Sequence, residues 1–567
     1  MALWSLDDVR LEADVAVPMP DGVMLCADIY RPVGEGPCPV LLQRTPYNKR
    51  FAQTGVYQHP SWYARQGYVV VVQDVRGRYA SDGEFYPYRH EAADGAATIE
   101  WAAHLPWTNG RVGTYGFSYA GASQMLAASR KPSGLVCCAV GCGGTDFYDG
   151  WTYEGGALHL AFILSWTLQS LAQADAVRRG DERAAARLAE LADALPAPYR
   201  RPLHDWLADA SLPGYVKDWL RHDTRDAYWR DLSPADLMEG IEVPCLHIGG
   251  WFDIFVAKTL RSFKVLSAAG RAEQNLMVGP WEHVPWARFS GVRDYGPDAD
   301  NCANDAQLAW FDRWLKDVPQ PPQPPVRYFL MGANHWGEAD AWPPADTQAR
   351  ELNLRSTGRA GVSSRDGRLS QEPAGEDPAD LFIFDPANPV PSRGGASCCF
   401  SGTAPIGSYD QRPVEIRNDV LLYTTDPLAA ALDVIGDVTL ELYAATDAPD
   451  TDWTAKLVDV HPDGRAFNVT EGIVRVRLRS GVEVPEPLPP GTVQRYDIVL
   501  RDTAYRFAAG HCLRLEVSSS NFPLFDVNSN SGKPAVAVAP ADLRLATQCV
   551  FHDVARPSRL RFRASSG

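Results

Sequence analysis

The stretch Arg111–Ala128, RVGTYGFSYAGASQMLAA, constrains the fold of this chain more than any other. A short β-like run, Val112-Gly113-Thr114-Tyr115, meets a sharp turn through Gly116-Phe117-Ser118-Tyr119-Ala120-Gly121. It passes straight into a helix with Met125 and Leu126 on its apolar side. A strand that ends at a serine and becomes a helix within a few residues is a nucleophile elbow, a turn so tight that the serine's neighbours must be small. Gly116 stands two residues before Ser118, and Ala120 and Gly121 stand two and three after it. Such a turn lifts the serine Oγ to the top of the sheet. It aims the Tyr119 amide, at the helix N-terminus, to where an oxyanion would form. The commoner pattern has Gly where Ala120 stands, and a small-x-Ser-x-small run also fits a purely structural turn.

The 567 residues exceed the usual size of a single core, so two or three domains are expected. A net charge of −16 argues against nucleic-acid partners and against an anionic membrane surface. The opening MALWSLDDVRLEADV has no basic n-region and no apolar core, so no signal peptide is expected. No apolar run is long enough to cross a bilayer. The eleven cysteines include the adjacent pairs Cys137-Cys138 and Cys398-Cys399 but no Cys-x-x-Cys. They predict no metal site, and a reduced cytoplasmic setting with buried thiols. Asn468-Val469-Thr470 matches a glycosylation sequon, read as chance without a secretory signal.

Val15–Pro32 reads as a hairpin turning at Pro20-Asp21-Gly22. Cys38–Leu42 is the next strand. Tyr68–Gln73, YVVVVQ, suits a strand buried on both faces of a mostly parallel sheet. Helical patterning follows from His90 to His104, then the elbow. This alternation predicts an α/β domain over residues 1–141 and 241–350. From 142 to 240 helical spacing takes over, with Arg183–Leu195 amphipathic through Ala184, Leu188, Leu191 and Leu195. This segment is either a cap over a site or a helical bundle with no pocket role. Strands then return at Val243–Gly249, Asn275–Val278 and Val326–Leu330, with a helix at Gln307–Lys316 and a stiff proline-rich spacer at Pro319–Pro325. From 351 to 567 short strands alternate with turn clusters, predicting a β-sandwich, in form a jelly roll.

A serine nucleophile needs a base and an acid, and on this topology they follow the serine in the order Ser, Asp, His. Asp253 in Gly250-Trp251-Phe252-Asp253 and His283 in Gly279-Pro280-Trp281-Glu282-His283 each end a predicted strand. His283 would take the serine proton and Asp253 would fix its tautomer. His247 lies within a strand as a core residue, His90 and His104 precede the serine, and His511 and His552 lie in the β-region. Position therefore selects His283. Asp74 is read as structural, pairing with Arg76 or Arg78, and Asp94 and Glu100 as surface charges of a helix. A second oxyanion donor is expected in the loop Arg44-Thr45-Pro46-Tyr47-Asn48-Lys49. On position alone, Tyr47 is equally a donor or a packed turn residue.

Together RTPYNK (44–49), QDVRGRYASDGEF (73–85), YGFSYAG (115–121), GGWFDIFV (249–256), GPWEH (279–283), YTTDPL (423–428) and the SSSNFPLFDVN run resemble the CocE/NonD hydrolases. This is the group of cocaine esterase and the α-amino acid ester hydrolases, related to the X-prolyl dipeptidyl peptidases. The resemblance implies an α/β-hydrolase core with a helical cap and a jelly-roll domain, the site lying where the three meet. It implies a triad of Ser118, Asp253 and His283, with Tyr47 and the Tyr119 amide as oxyanion donors. Trp151, Trp166 and Phe255 are the candidates for the acyl pocket. The substrate expected is a small ester or amide, with no metal or organic cofactor, and a homodimer is among the assemblies allowed. Three rival readings stand beside it. An aminopeptidase-type enzyme would need carboxylates for a substrate ammonium, for which Asp298, Asp300 and Asp305 are either candidates or a solvated loop. An acylase or transferase acting on one metabolite or peptide is the second. A vestigial core beside a binding β-domain is the third.

Overall fold

The turn at Pro20-Asp21-Gly22 forms as expected, joining β1 (Val9–Pro18) antiparallel to β2 (Met24–Pro32). Gly22 takes φ +86°, a value cheap only for glycine. A computed structural model describes residues 8–34, 36–51, 56–234, 236–399 and 405–565, so the first seven residues of the opening stretch lie outside it. β3 (Cys38–Thr45), α1 (Pro60–Arg65), β4 (Val69–Asp74), α2 (Glu91–Ala103), β5 (Thr108–Phe117), α3 (Tyr119–Ala128) and β6 (Leu135–Gly141) then alternate. The unbroken valine run of β4 is explained by its two covered faces. Val70 and Val72 pack with Leu41 and Tyr115, while Val69 and Val71 pack with Leu42, Ile99 and Val112. Each such burial is worth about 1.5–3 kcal/mol, so neither face leaves room for a polar residue.

After β6 the chain leaves the sheet. A short hairpin, β7 (Tyr153–Glu154) and β8 (Ala157–Leu158), leads to α4 (Leu160–Trp166). A π-helical turn, Thr167–Leu171, joins α4 to α5 (Ala172–Arg178). Then come α6 (Glu182–Asp193), α7 (Leu203–Ala208), α8 (Gly214–Arg221) and α9 (Ala227–Leu232). α6 is the amphipathic helix expected from sequence. Asp181 caps it by accepting from the Ala184 amide, and Ala184, Leu188 and Leu191 face inward. This helical layer shares one apolar cluster with α3 and Phe255, so it sits directly on the elbow.

The sheet resumes with β9 (Cys245–Phe252), α10 (Val256–Ala269) and β10 (Gln274–Glu282). It ends, after the small hairpin β11 (Phe289–Ser290) and β12 (Arg293–Asp294), with α11 (Ala303–Lys316), β13 (Val326–Leu330) and β14 (His335–Ala339). Its ten strands run β1-β2-β4-β3-β5-β6-β9-β10-β13-β14, and every neighbouring pair from β4 to β13 is parallel. β5, β9 and β10 therefore present their C-terminal ends on one edge, which is where open α/β sheets carry their sites.

The remaining strands form a second, eleven-stranded sheet system. They are β15 (Thr347–Arg355), β16 (Arg368–Ser370), β17 (Asp380–Phe384), β18 (Leu421–Thr424), β19 (Leu432–Thr446) and β20 (Asp452–Val460). β21 (Ala466–Arg475), β22 (Gln494–Phe507), β23 (Cys512–Ser518), β24 (Ala546–Phe551) and β25 (Arg559–Ser565) complete it. β15 straddles the expected boundary at 350. Apart from β16–β18 the named pairs are antiparallel. This β-domain does not own its core. Trp251, Phe252, Leu276 and Val278 of the first sheet lie in one cluster with Leu440, Trp453, Ile498 and Val517.

Candidate active site

Ser118 stands between β5 and α3 with φ 61° and ψ −126°. A non-glycine residue in that region costs about 1–3 kcal/mol and persists only when its surroundings impose it. Here the Ser118 amide donates to Gly141 O, and Ser118 O accepts from the Gly121 and Ala122 amides, all at 2.9 Å. The small residues are sterically required. A Cβ on Gly116 would lie 2.7 Å from Ala120 Cβ, and one on Gly121 would lie 2.4 Å from Gly141 O. The departure from the commoner pattern thus has a cause. The neighbouring strand crowds the position three after the serine, and the position two after tolerates a methyl. The Tyr119 amide is in the first turn of α3, with no helical carbonyl a turn behind it to bond.

β9 ends one residue before Asp253 and β10 one residue before His283. His283 Nδ1 lies 2.7 Å from Asp253 Oδ1, and the pair is 4% and 0% exposed. A carboxylate only accepts, so Nδ1 carries the proton and Nε2 is left as an acceptor. The ring of His283 lies 5.4 Å from those of both Phe117, beside Ser118, and Phe255. The backbone of Asp253 also forms a β-bridge with Ser397, so the acid is clamped from the β-domain.

Tyr47 is brought to Ser118 by the loop after β3. Its oxygen accepts from Trp166 Nε1 at 2.9 Å, and the Ser118 hydroxyl lies close enough to temper its acidity. Burial pushes its phenol up to about 12, so it is a protonated donor at neutral pH. This placement puts Tyr47 on the side of the serine where a second oxyanion donor would be needed.

Two expectations about charged residues need correction. Asp74 pairs with neither Arg76 nor Arg78. Its two oxygens accept the amides of Lys49 at 2.7 Å and Ala80 at 3.3 Å, because it ends β4 facing the loop that carries Tyr47. Burial raises its carboxyl to about 6. Arg78 instead donates to Pro46 O, to Leu171 O and to Asp175, tying the Tyr47 loop to the carbonyls of the π-helical turn. Asp94 is not a surface charge. It is 2% exposed and takes the Arg76 guanidinium through both oxygens, at 2.9 and 2.6 Å, since its face of α2 packs on the loop after β4. Glu100 is exposed as expected.

Trp151, Trp166 and Phe255 come together as one aromatic wall. Trp151 stacks on Phe255 at 4.1 Å and meets Trp166 at 6.2 Å. Phe162 and Trp219 stack on Trp166 at 5.4 and 5.6 Å, and neither was singled out from sequence, where helical spacing hides which aromatics converge. Asp298, Asp300 and Asp305 are all exposed, the first two in the segment before α11, where Asp300 accepts from the Arg288 amide, and Asp305 in the first turn of α11. His247 is the core residue expected, bonded to Gln274 at 2.9 Å. The cysteines depart from the expectation of thiols throughout, for Cys398 and Cys399 are joined as a disulfide. Both pack against the cluster that holds the aromatic wall.

Two groups of described residues have metal-ligand types within reach of one another, Cys142/Asp253/His283 and Asp459/His461/His511. In each the carboxylate is already bonded, Asp253 to His283 and Asp459 to His511 and Tyr505, both at 2.8 Å. Both read as hydrogen-bonded networks. Among the described residues no helix is long and apolar enough to cross a membrane.

Residues 21–285 match the family described as X-Pro dipeptidyl-peptidase (S15 family), and residues 321–561 match the X-Pro dipeptidyl-peptidase C-terminal non-catalytic domain. Cocaine esterase of Rhodococcus sp. (strain MB1 Bresler) is 37% identical over 92% of both chains. An aminopeptidase structure from a marine sediment Thaumarchaeota archaeon superposes with TM-score 0.82 at 25% identity, covering 100% of this chain and 98% of that one. An α-amino acid ester hydrolase superposes with TM-score 0.80 at the same identity and coverage. A relationship this even, running through core, cap and β-domain alike, makes the chain a member of the CocE/NonD family of serine hydrolases.

Proposed function

We propose that this enzyme hydrolyses carboxylic esters through an acyl-enzyme on Ser118. The observation that carries the reading is the buried 2.7 Å His283–Asp253 pair beside an elbow serine held at φ 61°. In this reading His283 Nε2 takes the Ser118 proton as Oγ attacks the carbonyl, and Asp253 stabilises the imidazolium. Tyr47 and the Tyr119 amide donate to the oxyanion. His283 then protonates the leaving alcohol and activates water to release the acid. Trp151, Trp166 and Phe255 form the acyl wall. That wall, with Asp298, Asp300 and Asp305 turned to solvent, favours neutral acyl groups over α-amino acyl groups. The buried thiols of Cys26, Cys137, Cys138, Cys142 and Cys245 support a cytoplasmic setting.

Peptidase activity is the second reading, supported by the match to the S15 family description. Purified wild type and Ser118→Ala, assayed on p-nitrophenyl acyl esters and aminoacyl-prolyl anilides, separate the two. Ester turnover lost in a folded Ser118→Ala, without anilide cleavage, is the expected result. Anilide cleavage by wild type establishes the peptidase, and full activity in Ser118→Ala sinks the site.

A further inference from the structure

Cys142 stands against the triad's carboxylate and has no part in the mechanism above. It directly follows Gly141, the last residue of β6, and is fully buried. Its backbone is held at φ +43° by a hydrogen bond from its N–H to Ile248 O at 2.7 Å. A non-glycine residue adopts that conformation only under constraint. Its sulfur, an Asp253 oxygen and a His283 ring nitrogen all lie within 4.8 Å of one another. Asp253 Oδ1 is taken by His283, while Oδ2 is buried with no partner in hydrogen-bond geometry among the described residues, sulfur donors included. A buried carboxylate oxygen left without a donor is costly, and the thiol is the group placed to serve it.

We propose that Cys142 is a positioning residue whose S–H, within reach of the carboxylate, turns to donate to the orphaned Asp253 Oδ2, fixing the carboxylate that orients His283 and sharing its charge. The proposal rests on the serine-hydrolase reading of the site. Burial, and then the charge of Asp253, hold the thiol well above its usual range, so it remains a donor throughout the working pH. The Trp286 indole tempers that rise and donates to His283 O at 3.2 Å, closing a ring of contacts around the pair. Other groups face this ring without replacing the thiol. Tyr57 packs on Phe117 and Trp286, and Ser118 lies close to Tyr47. On α10, Lys258 is held by Asp149, Arg261 lies near Asp146 and Lys264 is held by Asp502. Glu282 accepts from Gly291, and Glu471, beyond Ser397, accepts from Ala396.

The consequence is a pH effect. Without the thiol donor the carboxylate charge falls more fully on His283, and the protonated pair is favoured to higher pH. In Cys142→Ala the acid limb of the kcat/KM–pH profile on one p-nitrophenyl ester should rise by about 0.5 pH unit, with kcat about 3- to 10-fold lower. Cys142→Ser, carrying a stronger donor, should move the limb below the wild-type position. Limbs superimposable in all three proteins overturn the proposal, leaving the thiol as packing. If the Ala variant fails to fold, Ser decides alone, a lowered limb supporting the donor and an unmoved one overturning it. Fluorophosphonate labelling of Ser118 runs in parallel. An unlabelled, inactive wild type overturns the hydrolase reading and this proposal together, whereas a labelled enzyme with unmoved limbs overturns only the thiol.

Discussion

Removing the phenolic oxygen of Tyr47 takes a donor from the site and leaves the packed ring in place. Tyr47→Phe should therefore lower kcat on the order of 10²-fold or more, with little change in KM, by steady-state ester kinetics. His247 offers a test of stability. Burial lowers it to about 4, so the folded chain keeps it neutral where the unfolded chain, near 6.5, binds a proton. The unfolded state thus holds more protons between those values, and stability present above pH 6.5 is lost as pH falls toward 4, by roughly 3 kcal/mol. His247→Gln, which cannot take up that proton, should flatten the fall of Tm with pH in this window. Equal slopes would show that other groups carry it. Ser118, Asp253 and His283 were legible because each ends a strand among Gly, Pro or Trp. Asp74 and Asp94 were misplaced because sequence does not say which loop a carboxylate will face. Cys142 carries no local signal, since its partner lies on a different strand.

At the scale of elements, the elbow depends on α3 approaching β6 closely enough that Gly121 meets the Gly141 carbonyl. Gly121→Ala puts a methyl 2.4 Å from that oxygen, which is backbone and cannot swing aside. The start of α3 must move, and the Tyr119 amide with it. The expected outcome is a drop in kcat of at least 10-fold alongside a lower Tm. Ester kinetics and thermal unfolding check it, and unchanged kcat would show that the helix start does not position the oxyanion. The strands and long helices were legible from period alone, β4 from its valines and α6 from its leucines. The π-helical turn was not, because it is held from outside, by the Arg78 guanidinium on the carbonyls of Ser170 and Leu171.

For the whole molecule, the shared cluster of Trp251, Phe252, Leu276 and Val278 with the β-domain means the first sheet lacks a complete core of its own. Main-chain bonds cross the same seam, Met331 N to Ala504 O and Arg506 N to Met331 O. A chain stopped at Asp346 should expose this surface and fail to fold, while the full chain unfolds in one calorimetric transition. A soluble, folded fragment would show that the seam is only a contact. The three-part organisation was readable from texture, but its dependence on a common interior was not, since composition does not say which faces meet.

The bridge between Asp253 and Ser397 also has a meaning in time. The serine of the elbow and the loop that clamps its acid are far apart in the chain, and synthesis runs one way. At about 20 residues per second the ribosome adds Ser397 roughly 14 s after Ser118. Throughout that interval the growing polypeptide carries the elbow serine without the clamp on Asp253. An ester that meets the chain in that interval meets an unclamped site, and hydrolysis waits until the last third has emerged and docked.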